Sequence, residues 1–213
     1  MVTLTIVAAE PSSKPDLILA SASPRRRELL ARFGLSFEVL PADIDESTHD
    51  DECAEHYVVR MAEEKALAVA QRYPEQIVLA ADTSVVLDGA ILGKPVDQGE
   101  AKNMLEALSD RSHQVMSAVT LVVPEASRSR SIDAVASRLS ITRVDFAPLS
   151  PAWIGRYIAS GDPMDKAGAY GIQNAAGLKV QRIDGSYSGV VGLPLFETGQ
   201  LLIAAGLVER ARE

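Results

Sequence analysis

Residues 17–27, LILASASPRRR, join a short apolar run to a serine-rich turn and three arginines. The run Leu17–Ala20 predicts a buried strand. Ser23 is a favourable N-cap and Pro24 suits the first position of a helix, so we expect a helix over Arg25–Phe33. The chain therefore opens as a strand, a turn and a helix.

Strands and helices alternate over the rest of the chain. An almost wholly apolar run, Gln76–Ala81, is typical of a central strand covered on both faces. Asp88-Gly89, flanked by apolar residues, indicates a two-residue hairpin, so at least one strand pair is antiparallel. We expect an α/β fold with a mixed twisted sheet flanked by helices. Residues 1–213 suffice for one domain, or for two lobes around a central cleft. The other predicted segments are strands at 37–40, 115–123 and 135–144 and helices at 52–73, 100–108, 151–158 and 194–207.

The composition excludes several classes of protein. Apolar residues make up 47% of the 213 residues and charged residues 23%, which excludes a disordered chain. No apolar run is long enough for a membrane helix, and the first residues lack the basic start of a signal peptide. Cys53 is the one cysteine, so neither an intrachain disulfide nor a thiolate cluster forms. We therefore expect a cytoplasmic protein.

A formal charge of −8 opposes binding to nucleic acid or to an anionic membrane. Binding of a small anion would require several positively charged side chains close together in the fold. The hydroxyls and guanidiniums of residues 21–27 lie at a helix start, where backbone N–H groups favour an anion. Lys65 is a second candidate, because it falls within the apolar stripe of the predicted helix 52–73. Its ammonium either extends past the packed face to water or points into a cleft and is held by an anion.

Carboxylates suggest chemistry at the end of the central strand. Asp82 directly follows the apolar run, and ligands of open α/β sheets bind beyond the carboxyl ends of strands. It either caps the next turn through Thr83 or holds a divalent metal or a water molecule. Glu46, in an acidic loop, could supply a second oxygen ligand. Lys94, in a Gly-Lys-Pro turn, is a weak signal by itself. The three histidines show no metal-ligand spacing.

These segments together resemble the Maf family of nucleoside triphosphate pyrophosphatases. The resemblance runs from about Leu17 to Leu202 in family order; residues 1–15 and 124–131 lie outside it. The matching stretches are Ser21-Ala22-Ser23-Pro24-Arg25-Arg26, Tyr57-Val58-Val59-Arg60 with Glu64-Lys65-Ala66, Ala81-Asp82-Thr83, Gly93-Lys94-Pro95, Asp165–Gln173 and Gly185–Pro194.

The resemblance implies a fold similar to the inosine triphosphate pyrophosphatases, in a cytoplasmic homodimer. It implies hydrolysis of a nucleoside triphosphate between the α and β phosphates, with Mg²⁺ or Mn²⁺. Asp82 would accept the proton and hold the metal together with Glu46. Lys65 and Lys94 would be catalytic together with Asp82, at the phosphate site, and Ser23, Arg25 and Arg26 are the expected phosphate-binding residues.

Three positions bear on the substrate. Arg25, Thr83 and Gln173 match the members of the family that act on dTTP and UTP, and the Gln173 amide offers both a donor and an acceptor to a pyrimidine edge. A branch of the family that prefers 7-methyl-GTP carries other residues here. Two alternatives stay open at this point: a 7-methyl-GTP pyrophosphatase, and a non-hydrolytic nucleotide-binding regulator of septum formation.

Overall fold

A computed structural model describes residues 14–128 and 132–209. The expected leader, residues 1–15, lies almost wholly outside the described residues. The strands are β1 (Leu17–Leu19), β2 (Phe37–Val39), β3 (Val78–Leu87), β4 (Ala90–Leu92), β5 (Ser112–Val122), β6 (Val135–Phe146) and β7 (Val180–Asp184). The helices are α1 (Pro24–Leu30), α2 (Ala54–Arg72), α3 (Gln98–Leu108), α4 (Pro151–Ala159), α5 (Tyr187–Val191) and α6 (Leu195–Ala204), and short 3₁₀ turns connect several of them.

One seven-stranded sheet, in the order β2-β1-β3-β5-β6-β7, runs through the described part of the chain, and β4 pairs with β3. β1 is parallel to both β2 and β3, whereas the other pairs are antiparallel. The Asp88-Gly89 hairpin forms as expected, with both residues at positive φ. The predicted mixed α/β sheet flanked by helices is therefore confirmed.

Both faces of β3 are covered. Val78 and Ala80 belong to an apolar cluster with Ala66 and Val69 of α2, so α2 lies on the face of the even-numbered residues. Odd-numbered residues such as Leu79 point into the larger core, which includes side chains of α1, α3, α4 and α6. Because successive side chains of a strand point to opposite faces, double coverage explains the apolar run that the sequence shows here.

The position of Asp82 differs from the expectation. The sequence predicts a strand that ends before Asp82, but β3 continues to Leu87. The strand that ends nearby is β1: its pairing with β3 stops at Leu79, and β4 begins to pair only at Val85. Residues 80–84 of β3 thus have no strand partner on this edge within the described chain. Asp82 lies in the middle of this gap, beyond the carboxyl end of β1.

The region 161–192, for which the sequence predicts neither a strand nor a helix, contains both. β7 pairs with the end of β6 and extends the sheet, and α5 follows it. In addition, the peptide N–H of Gly168 donates to the carbonyl of Gly93, at 3.0 Å. This contact holds the loop after α4 against the turn that carries Lys94. None of the helices in the described ranges is long and apolar enough to cross a membrane.

His113 is buried in this structure and stays neutral. Its Nε2 lies 2.7 Å from the hydroxyl of Tyr170, and its ring packs edge-to-face on Phe146. Its Nδ1 is buried and has no hydrogen-bond partner among the described residues. Burial lowers the pKa of His113 to about 4. A proton on this ring would place an uncompensated charge among apolar groups.

This burial predicts a specific dependence of stability on pH. The unfolded chain protonates His113 near its ordinary pKa of 6.5, whereas the folded protein does so only near 4. The free energy of unfolding should therefore fall as the pH is lowered from about 6.5 to 4, by up to about 3 kcal/mol from this group. His113→Gln should remove that part of the slope in urea titrations across this range. His56→Gln, at an exposed position of α2, is the control; an unchanged slope in His113→Gln would contradict the prediction.

Candidate active site

A cavity of about 560 Å³ opens at the gap in the sheet. Its walls come from the turn after β1, the acidic loop after β2, α2, the uncovered part of β3, the turn after β4 and the loop after α4. The structure brings together the site residues that the family resemblance implies: Ser23, Arg25, Arg26, Glu46, Lys65, Asp82, Thr83, Lys94 and Gln173. Arg27 does not line it; its side chain is exposed on α1.

Lys65 lies between two carboxylates in the cavity. Its ammonium donates to Asp82 Oδ1 at 2.7 Å and lies 2.8 Å from Glu46 Oε1. Lys65 and Asp82 are both only 8% exposed. Of the two possibilities for Lys65, the structure therefore supports the ammonium that points into a cleft and is held by anions. Partial burial alone would raise the pKa of Glu46, but the hydrogen bond and the charge of Lys65 outweigh it and lower that pKa.

Arg26 carries the second cationic group inside the cavity. Its Nε donates to the carbonyl of Gly192 at 2.8 Å, and its other nitrogens approach the hydroxyls of Thr83 at 3.3 Å and Ser21 at 3.4 Å. All these acceptors are neutral, and no carboxylate of the described chain forms an ion pair with Arg26. The guanidinium is thus held in place while its charge remains available to an anion. The Ser23 hydroxyl caps α1 by accepting from the N–H of Arg26, at 3.4 Å.

The side chain of Thr83 lies on the face of the sheet opposite to that of Asp82, because the two residues are neighbours on β3. Its hydroxyl lies 2.9 Å from that of Ser117, which donates to the carbonyl of Gly189 at 2.7 Å. Ser117 is fully buried on β5. Thr83 therefore links Arg26 to α5 as well as lining the cavity. No sequence pattern singles out Ser117, because one serine in an apolar strand is not distinctive.

The mouth of the cavity carries more exposed groups. Arg25 forms an ion pair of 3.3 Å with Asp165, from the loop after α4. The side chains of Lys94 and Gln173 are exposed. Burial raises the pKa of Glu46, and Lys65 lowers it. The charge of Lys94 is close enough to lower that pKa further, by a smaller effect. The mouth can thus meet both charged and polar parts of a ligand.

Two side chains of α2 hold the loop that carries Glu46. The Tyr57 hydroxyl donates to the carbonyl of Glu46 at 2.9 Å, and Arg60 donates to the carbonyl of Ser47 at 3.0 Å. Arg60 also binds both carboxylate oxygens of Glu52, at 2.7 and 2.6 Å. This hydrogen bonding lowers the pKa of Glu52 to about 2. Burial, followed by the charges of Asp82 and Glu46, raises the pKa of Tyr57 to about 12, so its hydroxyl stays a donor.

The carboxylates of the cavity suit a divalent cation whose remaining coordination positions are filled by a bound ligand. No group of three or more His, Cys, Asp or Glu side chains able to hold a metal occurs in residues 14–128 and 132–209. Magnesium is commonly bound by one or two carboxylates together with substrate phosphates and water. Asp82 and Glu46 provide such a pair, since both lie within 3 Å of the same ammonium. They fit a metal that arrives with a phosphorylated ligand better than a permanently bound ion.

The cavity brings the guanidinium of Arg26, which has no ion pair among the described residues, together with the ammoniums of Lys65 and Lys94 and the carboxylates of Asp82 and Glu46. This set of groups suits a phosphorylated ligand and a divalent cation. The chain belongs to the Maf-like protein family, whose model matches residues 16–205. A dTTP/UTP pyrophosphatase of Methylobacillus flagellatus is 50% identical over 193 residues, covering 90% of this chain and 93% of that protein. A protein of the same name from Shewanella oneidensis is 50% identical over 201 residues, covering 91% of this chain and 100% of the relative.

Solved structures give a more distant likeness. A HAM1 protein from Coxiella burnetii is 19% identical to this chain, with a TM-score of 0.41. The match covers 62% of this chain and 72% of that protein.

The contacts of α2 with the loop that carries Glu46 can be tested without an activity assay. Arg60→Met removes the bonds to Ser47 and Glu52, which tie the loop to α2, and also the ion pair with Glu64. We expect amide hydrogen exchange in residues 46–52 to accelerate by about tenfold or more, measured by mass spectrometry. Arg138→Met is the matched control, because Arg138 is exposed and, within residues 14–128 and 132–209, donates only to the neighbouring carbonyl of Ser137. Equal exchange rates of residues 46–52 in the two variants would show that Arg60 does not hold this loop.

Proposed function

We propose that this chain is a nucleoside triphosphate pyrophosphatase that hydrolyses dTTP and UTP to the monophosphate and pyrophosphate, with Mg²⁺ or Mn²⁺. The relatives named above, at about 50% identity over nearly the whole chain, support this assignment. The proposal extends to a homodimer in the cytoplasm, as the family resemblance implies.

The arrangement of charge in the cavity is the observation that carries the proposal. A chain with a net charge of −8 collects Arg26, Lys65 and Lys94 around one cavity and places Asp82 at its floor. A triphosphate is strongly anionic, so local cations are needed to overcome the repulsion of the whole molecule. Carboxylates in the same place would serve no purpose for anion binding alone, but they serve a reaction that needs a proton acceptor and a metal.

The phosphate chain would be held mainly by Arg26, Lys65 and Lys94. Arg26 is already oriented by three neutral acceptors. It therefore loses little conformational freedom when it binds an anion. Lys65 and Lys94 approach from different walls of the cavity. Cationic groups arranged in advance around the phosphates stabilise the charge that builds up in the transition state.

Asp82 would act as the general base. Its Oδ1 accepts from Lys65, whereas its Oδ2 accepts no hydrogen bond from a described residue and remains available to water. The water oxygen bonds to the α-phosphorus, its proton passes to Asp82, and the bond from the α-phosphorus to the bridging oxygen breaks. Pyrophosphate leaves with the electron pair of that bond. Asp82 and Glu46 would also hold the divalent cation, which supplies positive charge beside the phosphates.

The base would be recognised at the mouth of the cavity. Gln173 is exposed there, and its amide has a donor and an acceptor, as a pyrimidine edge requires. Arg25 would approach the nucleotide from α1. Thr83 acts as a specificity position partly through its contact with Arg26, so its effect on substrates need not come from contact with the base.

Asp82→Asn tests the assignment of the general base. The variant keeps the volume of the side chain and loses the carboxylate, so kcat for UTP should fall by about 10²–10⁴-fold, with a folded protein by circular dichroism. Asp184→Asn is the control, because Asp184 is exposed at the end of β7. Full activity of Asp82→Asn would refute the role of Asp82.

A substrate panel tests the reaction itself. Pyrophosphate release should be fastest with dTTP and UTP, should require Mg²⁺ or Mn²⁺, and should stop when EDTA is added. A strong preference for 7-methyl-GTP would overturn the choice of pyrimidine substrates. Nucleotide binding without any pyrophosphate release would instead favour the non-hydrolytic regulator.

A further inference from the structure

A buried lysine that the proposed reaction does not use lines the part of the cavity near Gln173, where the nucleobase would bind. Lys166 is 8% exposed and lines the cavity together with Gln173 and Asn174. Its ammonium donates to the carbonyl of Asp162 and to Asp165 Oδ1, both at 2.6 Å, and forms an ion pair of 3.1 Å with Asp162 Oδ1. Two hydrogen bonds and one further ion pair thus surround the ammonium. Lys166 is already paired with groups of the loop after α4.

Asp162 is the centre of this group, which we call the Asp162 cluster: Tyr157, Asp162, Lys166 and Asn174. Its Oδ2 accepts from the Tyr157 hydroxyl at 2.6 Å, and its Oδ1 accepts from the side-chain amide of Asn174. Burial alone would raise the pKa of Asp162, but hydrogen bonds from Tyr157, Lys166 and Asn174 lower it. The cluster therefore ties α4 to the residue that directly follows Gln173.

The cluster also fixes the backbone before Gln173. The peptide N–H of Gly171 donates to the Tyr157 hydroxyl at 3.1 Å. The stem of Lys166 passes directly over Gly171: a Cβ there would lie 2.6 Å from Lys166 Cε. Any other residue at position 171 would push the lysine stem away. The backbone on both sides of Gln173 is thus held by the side chains of Tyr157, Asp162 and Lys166.

Asp165 connects the same lysine to the other nominated specificity residue. Its Oδ1 accepts from Lys166, and its Oδ2 forms the ion pair with Arg25 on α1. One carboxylate thereby sets the distance between Arg25 and the segment that carries Gln173. These two residues are 148 positions apart by their numbers, and no direct bond between them is present in the described structure.

We propose that Lys166 and Tyr157 are positioning residues for base recognition: they hold the segment 170–174 so that Gln173 and Arg25 present a fixed arrangement to the nucleobase. The proposal rests on the function proposed above. It assigns neither residue a direct contact with the reacting phosphates. Tyr157 does not line the cavity, so any effect of its hydroxyl on substrate choice must be transmitted through this segment.

The test compares base discrimination with phosphate binding in three variants. Lys166→Met keeps most of the stem and removes the ammonium, and Tyr157→Phe removes one hydroxyl. Lys102→Met is the matched control, at an exposed lysine of α3 that forms an ion pair of 3.7 Å with Glu106. For each we measure kcat and KM for UTP and GTP, and the dissociation constant of pyrophosphate by calorimetry.

We expect the preference for UTP over GTP, as a ratio of kcat/KM, to fall by about tenfold in Lys166→Met and by about threefold in Tyr157→Phe, mainly through KM for UTP. The affinity for pyrophosphate should not change, because the cations that hold phosphate lie on other elements. Lys102→Met should match the wild type. A merely structural defect would lower kcat for both nucleotides equally and leave the ratio unchanged.

Other outcomes overturn the inference. An unchanged ratio in folded Lys166→Met would show that the cluster does not position the base-binding segment. Weaker pyrophosphate binding in that variant would show that Lys166 contacts the phosphates directly. If Lys166→Met does not fold, Tyr157→Phe decides by the same criteria. A wild-type protein that does not prefer UTP would instead refute the proposed function, which is a distinguishable result.

Discussion

The ion pair between Lys65 and the carboxylates of Asp82 and Glu46 is the constraint on which this cavity depends. Two carboxylates beside a doubly covered strand would repel each other and would be costly to remove from water. One ammonium, within 3 Å of both, offsets that cost. The lysine has to come from the helix packed on that face of the sheet, which explains why a charged residue occurs within the apolar stripe of α2. The same ion pair keeps two candidate metal ligands close together before any ligand arrives.

The cations of the cavity are held in different ways, and the difference separates their roles. Arg26 bonds to carbonyl and hydroxyl oxygens, so its position is fixed while its charge is not neutralised. Lys166 is surrounded by carboxylate and carbonyl oxygens, so its charge is already balanced. A positive residue in a binding cavity is therefore not automatically a ligand for an anion. Lys65 also has carboxylate partners, Asp82 and Glu46, but these are the candidate ligands of the divalent cation, whereas the partners of Lys166 belong to the loop that carries Gln173.

The sequence predicts the elements of the fold well where local pattern decides them. The first strand, its capped helix and the Asp88-Gly89 hairpin all form, and the residues nominated for chemistry share one cavity. The strand β7 escaped prediction because Val180–Asp184 is a mostly polar segment without an apolar run. The contacts that hold the side chains of the site could not be predicted for another reason. Arg26 and Gly192, for example, are separated by 166 positions. Such contacts follow from the packing of the whole chain, which no local pattern contains.

The gap beside residues 80–84 of β3 has a consequence for the behaviour of the protein in concentrated solution. An unpaired strand edge normally invites a strand from another molecule and so promotes aggregation. Here the open edge is short and is flanked by β1 on one side and β4 on the other. A foreign strand would have to enter between these two neighbours to pair with it. At this gap the backbone is therefore open to a small solute, whereas β1 and β4 sterically oppose pairing with an added strand.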